Sequence, residues 1–157
     1  MERAYAQHLA DITGRSFSSS RQLLRALRED GLVPGHGETP TAADVVNIVM
    51  ALSSDKISTA PAQARALSAL PQTSTTGLPP TAGAMLAALL IARKTGPVFD
   101  DFDVEDGSLH LGPTSIVLEC LTLTGKRACV RYGADAAGIS KATTVALPIV
   151  AKFSHLI

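Results

Sequence analysis

The chain of 157 residues contains no tryptophan, and aromatic residues make up only 4% of it. A hydrophobic core must therefore be built from leucine, valine, isoleucine and alanine, and hydrophobic residues make up 46% of the sequence, which is enough for such a core. The length suits one medium domain or two small ones. The scarcity of aromatic rings also leaves little surface on which nucleic-acid bases can stack.

The sequence has no excess of either charge, since its formal net charge is zero. Proteins that bind nucleic acid over a broad surface usually carry a strong basic excess, which supplies most of their affinity. Zero net charge argues against that mode of binding. Any contact with DNA must instead be confined to one local surface.

Cysteines and long apolar runs are scarce as well. The two cysteines, Cys120 and Cys129, are too few for a disulfide scaffold. The longest apolar run, Ala82 to Ala92, is shorter than the roughly 20 residues that span a bilayer. The polar start of the chain is not typical of a secretory signal. We therefore expect a cytoplasmic protein that does not contact a membrane.

The N-terminal segment shows clear helical signals. Apolar residues with helical spacing predict a helix over residues 3–13, which Gly14 ends because glycine accepts a positive φ. Ser16 or Ser18 can cap a second helix that runs to about Glu29.

Three more helices are predicted further along. Thr41 and Asp44 have the spacing of a capping box at the start of a third helix, and Thr59 precedes a shorter one. Residues 71–80 are rich in threonine, proline, serine and glycine, and we interpret them as a linker. An apolar helix then runs from about Thr81 to Lys94.

The remainder of the chain is predicted to be rich in β-structure. Asp106-Gly107 is typical of a two-residue hairpin turn, which places Phe102 opposite Leu111 and His110 opposite Asp103. In this register one face of the hairpin is apolar and the other polar.

A second hairpin is predicted to turn at Gly125-Lys126. This register places Leu121 opposite Val130 on the apolar side. A turn shifted back by one residue places Cys120 opposite Cys129 instead, but it sets a lysine against a leucine, so we favour the first register.

The segment from His8 to Ser16 resembles the first helix and the turn of helix-turn-helix proteins. That motif has a small residue in the first helix and a glycine four positions later, here Ala10 and Gly14. The resemblance covers about 25 residues. Ser20 departs from it, because the motif usually has an aliphatic residue at this inward position.

A helical projection of the second helix separates two faces. The inward face carries Phe17, Ser20, Leu23, Leu24 and Leu27. Arginine and glutamine suit guanine and adenine, so Ser18, Arg21 and Gln22 are predicted to contact bases. Arg15, Arg25 and Arg28 are predicted to contact phosphates.

Two other interpretations of this unit stay open. A row of arginines is often only a solvated helix face, and residues 1–33 hold five arginines against four acidic residues, a net charge of +1. The unit is then either a helix-turn-helix that contacts protein or an ordinary helical bundle.

The order of the segments is similar in general to phage or prophage-encoded bacterial proteins. The resemblance implies a transcriptional regulator or, alternatively, a DNA-packaging component similar to small terminase subunits. A motif with a charge of +1 binds DNA weakly, so we expect a homo-oligomer, with a dimer favoured and its recognition helices about 34 Å apart. A phage or host protein is a further possible partner.

Other groups of polar residues do not predict a metal site or a catalytic site. The acidic cluster, Asp100, Asp101, Asp103, Glu105 and Asp106, lacks the spacing of a calcium loop. The histidines are scattered, and none pairs with a cysteine at zinc-ligand spacing. The cysteines are expected to be buried free thiols. Neither a metal, nor a cofactor, nor an enzymatic activity is predicted.

The sequence as a whole predicts an α+β protein. Residues 1–70 form a helical part with the helix-turn-helix, residues 71–80 a linker, and residues 81–157 a helix packed on a small antiparallel sheet. The last part is the expected module for oligomerisation or for a partner, with exposed apolar candidates at Ile149, Phe153 and Ile157.

Overall fold

Helices make up the first half of the chain, and an antiparallel sheet with a final helix makes up the second. The computed structural model describes residues 2–74, 78–95, 98–99, 102–134 and 142–156. The helices are α1 (Glu2–Thr13), α2 (Phe17–Glu29), α3 (Ala42–Ala51), α4 (Ala60–Ser68), α5 (Ala82–Thr95) and α6 (Leu147–Lys152). The strands are β1 (Val98–Phe99), β2 (Phe102–Leu111), β3 (Ser115–Thr122), β4 (Arg127–Gly133) and β5 (Thr143–Ala146). The predicted α+β class is confirmed.

The boundaries of the first three helices follow the capping signals in the sequence. Gly14 and Gly31 follow α1 and α2 with φ angles of +70° and +72°, in the left-handed region that favours glycine. At the start of α3, the Thr41 N–H donates to the Asp44 carboxylate over 2.7 Å, and the Asp44 N–H donates back to the Thr41 hydroxyl over 3.4 Å. The predicted capping box is confirmed.

One hydrophobic core joins the helical part to the sheet. It extends from Leu9 in α1, through the almost fully buried α3, to Tyr132 in β4. The described residues of the predicted linker lie against this structure. The Gln72 N–H donates to the Pro80 carbonyl over 2.9 Å, and Tyr132 donates its hydroxyl proton to the Pro79 carbonyl over 2.9 Å.

The sheet is antiparallel throughout its described strands. β2 pairs with β3 along one edge, and β3 pairs in turn with β4. The other edge of β2 pairs with β1 near Phe102 and with β5 from Ser108 to Leu111. The inner face of the sheet contacts the core through Leu109, Leu118 and Val130.

The prediction of a hairpin turn at Asp106-Gly107 is wrong. β2 continues through these residues, and its pairing with β3 is irregular between Asp103 and Gly107, as in a β-bulge. Gly107 has a φ of +138°, and a Cβ there would overlap the carbonyl oxygen of Glu119. A positive-φ glycine serves a bulge as well as a turn, and the longer strand gains pairing with both β3 and β5.

The second hairpin exists, but its predicted register is wrong. Val130 lies opposite Leu118, and Leu121 lies opposite Arg127. The connection is longer than predicted, because the Thr122 N–H donates to the Lys126 carbonyl over 2.7 Å and leaves Leu123 in the turn. Leu123 is 59% exposed. The register instead buries alternate residues of β3, which are Ile116, Leu118 and Cys120.

The end of the chain is less exposed than predicted. Phe153 follows α6 and is fully buried, since this last turn packs against α3 and α5. Ile149 is partly buried against the core, and Ile157 lies outside the described residues. Phe153 is therefore not an exposed apolar contact.

Among the described residues, none of the helices has the length and apolar composition needed to cross a bilayer.

Candidate nucleic-acid interface

The first two helices are joined by a three-residue turn, residues 14–16. The Gly14 N–H donates to the Ala10 carbonyl over 2.8 Å, which closes the end of α1. Ser16 caps α2, because its hydroxyl accepts the N–H of Ser19 over 3.1 Å. The predicted positions of the two helices and of the turn are confirmed.

The inward face of α2 is the one predicted. Its buried residues are Ser20, Leu23, Leu24 and Leu27, with Phe17 partly buried beside them. Ala10 on α1 is also buried, as a small residue at a close helix contact should be. Ser20 is fully buried, and its hydroxyl has no hydrogen-bond partner among the described residues.

The outward face of α2 holds four of the six predicted site residues. Ser18, Arg21, Gln22 and Arg25 are exposed. Together with Phe17 they surround a shallow depression of about 260 Å³. The structure therefore brings together, on one surface, the three residues predicted to contact bases and one of those predicted to contact phosphates.

Arg25 is engaged in an ion pair on this surface. Its Nε donates to Glu29 Oε1 over 2.7 Å, one helical turn away. The two side chains are 76% and 63% exposed, and a pair so exposed contributes at most about 1 kcal/mol. The pair can therefore open at little cost when a phosphate replaces the carboxylate.

The remaining two predicted residues, Arg15 and Arg28, point part of their guanidinium groups towards the protein. Arg15 donates from Nη2 to the Leu52 carbonyl over 3.1 Å, and Arg28 donates from Nε to the Pro34 carbonyl over 3.3 Å. Both side chains are partly buried. They tie α2 and its preceding turn to neighbouring segments of the helical part.

A third arginine holds the C-terminal end of α2 and was missed in the sequence. Arg65 on α4 forms an ion pair with the Asp30 carboxylate and donates to the Asp30 carbonyl over 2.6 Å. Asp30 is the C-cap of α2, so a cation here also interacts favourably with the helix dipole. No local pattern could predict this contact, because the two residues lie far apart in the sequence.

A second polar group lies on the outer face of the sheet, around His110. Its Nε2 lies 2.9 Å from the Ser108 hydroxyl and 3.5 Å from Glu119 Oε2, and its Nδ1 lies 3.0 Å from the Thr144 hydroxyl. The predicted pairing with Asp103 is wrong, because the strand neighbours of His110 are Val117 and Thr144. That pairing depended on a turn at residues 106–107, whereas Asp103 and His110 lie on the same strand, β2.

The two cysteines differ in their surroundings. Cys120 is buried, whereas Cys129 is exposed, which corrects the expectation that both are buried. Both line a cavity of about 270 Å³ beside the bulge. Burial, and to a smaller extent Cys129 and Asp103, raise the pKa of the Cys120 thiol to about 11, so the thiol is protonated and unreactive at neutral pH.

In the described part of the chain, no cluster of three or more histidine, cysteine, aspartate or glutamate side chains has the geometry to hold a metal ion. Of the predicted acidic cluster, Asp106 is exposed, Asp103 is partly buried, and Asp100 and Asp101 lie outside the described residues.

The chain matches no protein-family model, no curated protein and no solved structure. The outward face of α2 is therefore interpreted from its own chemistry.

Proposed function

We propose that this protein is a cytoplasmic DNA-binding transcriptional regulator in which α2 enters the major groove of double-stranded DNA. The observation that carries this proposal is the outward face of α2, where Ser18, Arg21, Gln22 and Arg25 are exposed around one depression. The opposite face of the same helix is buried, so these side chains are held on a fixed support.

The side chains on this face suit direct readout of bases. Arginine donates two hydrogen bonds to O6 and N7 of guanine, and glutamine forms a matching pair with N6 and N7 of adenine. Arg21 and Gln22 take these roles in our proposal, and Ser18 contributes a hydroxyl near the N-terminus of α2. Each well-formed pair contributes about 1–3 kcal/mol of discrimination against the wrong base.

Affinity in this proposal requires a second copy of the chain. One helix-turn-helix with a net charge of +1 neutralises few phosphates, and the whole chain has no net charge to add. A homodimer places two α2 helices in successive major grooves about 34 Å apart and combines their contacts. Binding should then depend on protein concentration in the range where the dimer dissociates.

The test is fluorescence-anisotropy binding to mixed-sequence duplex DNA over a series of salt concentrations. The variant Arg21→Ala/Arg25→Ala removes two exposed cations from α2 and leaves the hydrogen bond from Arg28 to the Pro34 carbonyl in place. The matched control, Lys126→Ala/Arg127→Ala, removes two exposed cations from the β3–β4 hairpin. We expect binding that weakens with salt, collapses in the α2 variant and is retained in the control.

Two results would contradict the proposal. The first is no binding by the wild-type protein at about 50 mM salt, where phosphate contacts are strong. The second is an equal loss in the α2 variant and in the control, which would indicate nonspecific attraction. A selection from random duplexes then tests base readout, because Gln22→Ala should relax the preference at one base position only.

A further inference from the structure

Phe17 is the first residue of α2 and the apolar member of the depression on its outward face. The other residues that line this depression are Ser18, Arg21, Gln22 and Arg25. Phe17 is only partly buried, whereas Phe102 and Phe153, the other phenylalanines whose burial the structure describes, are buried. Part of a scarce aromatic side chain is therefore accessible among the residues that are proposed to contact bases.

The start of α2 is held in place around Phe17. The Ser16 hydroxyl accepts the Ser19 N–H over 3.1 Å, and the Ser16 carbonyl accepts the Ser20 N–H over 3.0 Å. The buried part of Phe17 packs against the hydrophobic core. The accessible part therefore has a fixed position at the N-terminal end of α2, and the N-terminal residues of a recognition helix are those that reach base edges in the major groove.

Phe17 is also a neighbour of Arg21 on the surface of α2. Residues four apart on a helix share one face, with about 5–6 Å between their Cβ atoms, whereas base pairs stack about 3.4 Å apart along the duplex. When Arg21 reads a guanine, Phe17 is therefore placed at an adjacent base pair. The one apolar group that base pairs present in the major groove is the C5 methyl group of thymine, since the other groups there are hydrogen-bond donors and acceptors.

We propose that Phe17 is a specificity-determining residue, which contacts the C5 methyl group of a thymine in the base pair next to the guanine read by Arg21. The inference rests on the proposed function, since it adds a base contact to the same DNA duplex. It gives α2 an apolar contact beside the hydrogen bonds of Arg21 and Gln22. The preferred DNA site then contains a thymine, on either strand, in the base pair next to that guanine.

The test removes the methyl group from the DNA, because uracil differs from thymine only in lacking it. The duplex is the preferred site selected from random sequences, and its guanine is the position at which Arg21→Ala relaxes the preference. Fluorescence anisotropy compares this duplex with one that has uracil in place of the neighbouring thymine. The wild type should bind the uracil duplex about fourfold more weakly, as expected for one buried methyl group, and Phe17→Ala should bind both equally. Ile91→Ala, which truncates an exposed apolar residue of α5, should keep the preference.

Three results would overturn the inference while wild-type binding upholds the proposed function. They are a selected site without thymine next to the guanine, equal binding of the two duplexes by the wild type, and an unchanged preference for the methyl group in Phe17→Ala. The last result would leave Phe17 with a role in packing alone. If Phe17→Ala does not fold by circular dichroism, Phe17→Gln, which keeps a long side chain but ends in a polar amide, gives the same comparison. Absence of wild-type binding would contradict the proposed function itself.

Discussion

The helical part and the sheet differ in how far apart in the sequence the residues are that determine their structure. In the helical part, the ends of helices depend on groups a few residues apart, such as Ser16 with Ser19 and Thr41 with Asp44. In the sheet, Leu109 pairs with Leu118 on the next strand and also with Val145, which lies 36 residues further along the chain. Local signals therefore predicted the first part and failed on the register of the second.

The two parts also use glycine differently. Gly14 ends a helix in open surroundings, where a Cβ would meet no atom within 4 Å. Gly107 lies inside a strand, where the backbone of β3 occupies the space that a Cβ would need. The same residue type thus marks a chain turn in one part and a close approach of two strands in the other.

The largest effect is expected from Gly107→Ala. The new Cβ would overlap the Glu119 carbonyl, and alanine would have to adopt a φ of +138°. The left-handed conformation costs about 1–2 kcal/mol, and overpacking costs about 1–3 kcal/mol more. We expect the free energy of unfolding to fall by about 3 kcal/mol or more, measured by urea denaturation.

Gly125→Ala is the control for this change. Gly125 also has a positive φ, +78°, but a Cβ there would meet no atom within 4 Å. Only the conformational cost applies, so we expect a loss of about 1 kcal/mol. Equal losses in the two variants would show that β2 does not pass close to β3 at Gly107. They would then support the predicted turn at that position.

The failure at Asp106-Gly107 has a physical cause. An aspartate followed by glycine favours a tight turn when the flanking residues have only each other as partners. Here Leu109 and Leu111 gain a second partner strand, β5, which no pattern near residue 107 reveals. The strand is extended because of pairing that forms only when the C-terminal segment returns to the sheet.

The candidate site was predictable to the extent that it lies on one helix. Helical spacing alone placed Ser18, Arg21 and Gln22 on the exposed face, where the structure has them. The same spacing could not show that Arg15 bonds Leu52, or that Arg65 bonds Asp30. These contacts join segments that are far apart in the sequence, and a projection of one helix holds no information about them.

A pH titration tests the observed register of the sheet. Cys120 faces the core in this register, whereas the predicted one placed it on the opposite side. The unfolded chain releases the thiol proton near pH 9, but burial keeps it bound to about pH 11 in the folded protein. Between these values the unfolded state binds fewer protons, so the free energy of unfolding should fall as pH rises, by about 2 kcal/mol.

The variant Cys120→Ala isolates that contribution from other alkaline titrations, such as that of the buried Tyr132, whose pKa is raised to about 12 by burial. Relative to the wild type, the variant should lose less stability between pH 9 and pH 11. Cys129→Ala should behave much like the wild type, because desolvation is the larger cause of the shift at Cys120. Identical pH profiles for Cys120→Ala and the wild type would place the thiol outside the core.

A smaller effect is expected at the capping box of α3, the strongest local signal in the helical part. Thr41→Ala removes the hydroxyl that accepts the Asp44 N–H, and Asp44 loses the hydroxyl contact of 2.7 Å. Loss of such a cap costs about 1 kcal/mol. Thr41→Ser keeps the hydroxyl, and serine ranks at least as high as threonine at this position, so little or no loss is expected. Thermal unfolding of the three proteins measures the difference, and an equal loss in both variants would mean that the threonine methyl group, not the cap, is responsible.

The smallest effect should be a gain in stability. It is expected at Ser20, where the helix-turn-helix unit departs from its motif. The Ser20 hydroxyl is fully buried without a partner among the described residues, and a buried unsatisfied hydroxyl is destabilising. Ser20→Ala removes that group and substitutes a better helix former, so stability should rise by about 0.5 kcal/mol. Ser18→Ala, at an exposed position of the same helix, measures the helix-propensity component alone. A loss of stability in Ser20→Ala would mean that the hydroxyl forms a hydrogen bond in the folded protein. The serine that replaces the usual aliphatic residue of the motif would then stabilise α2.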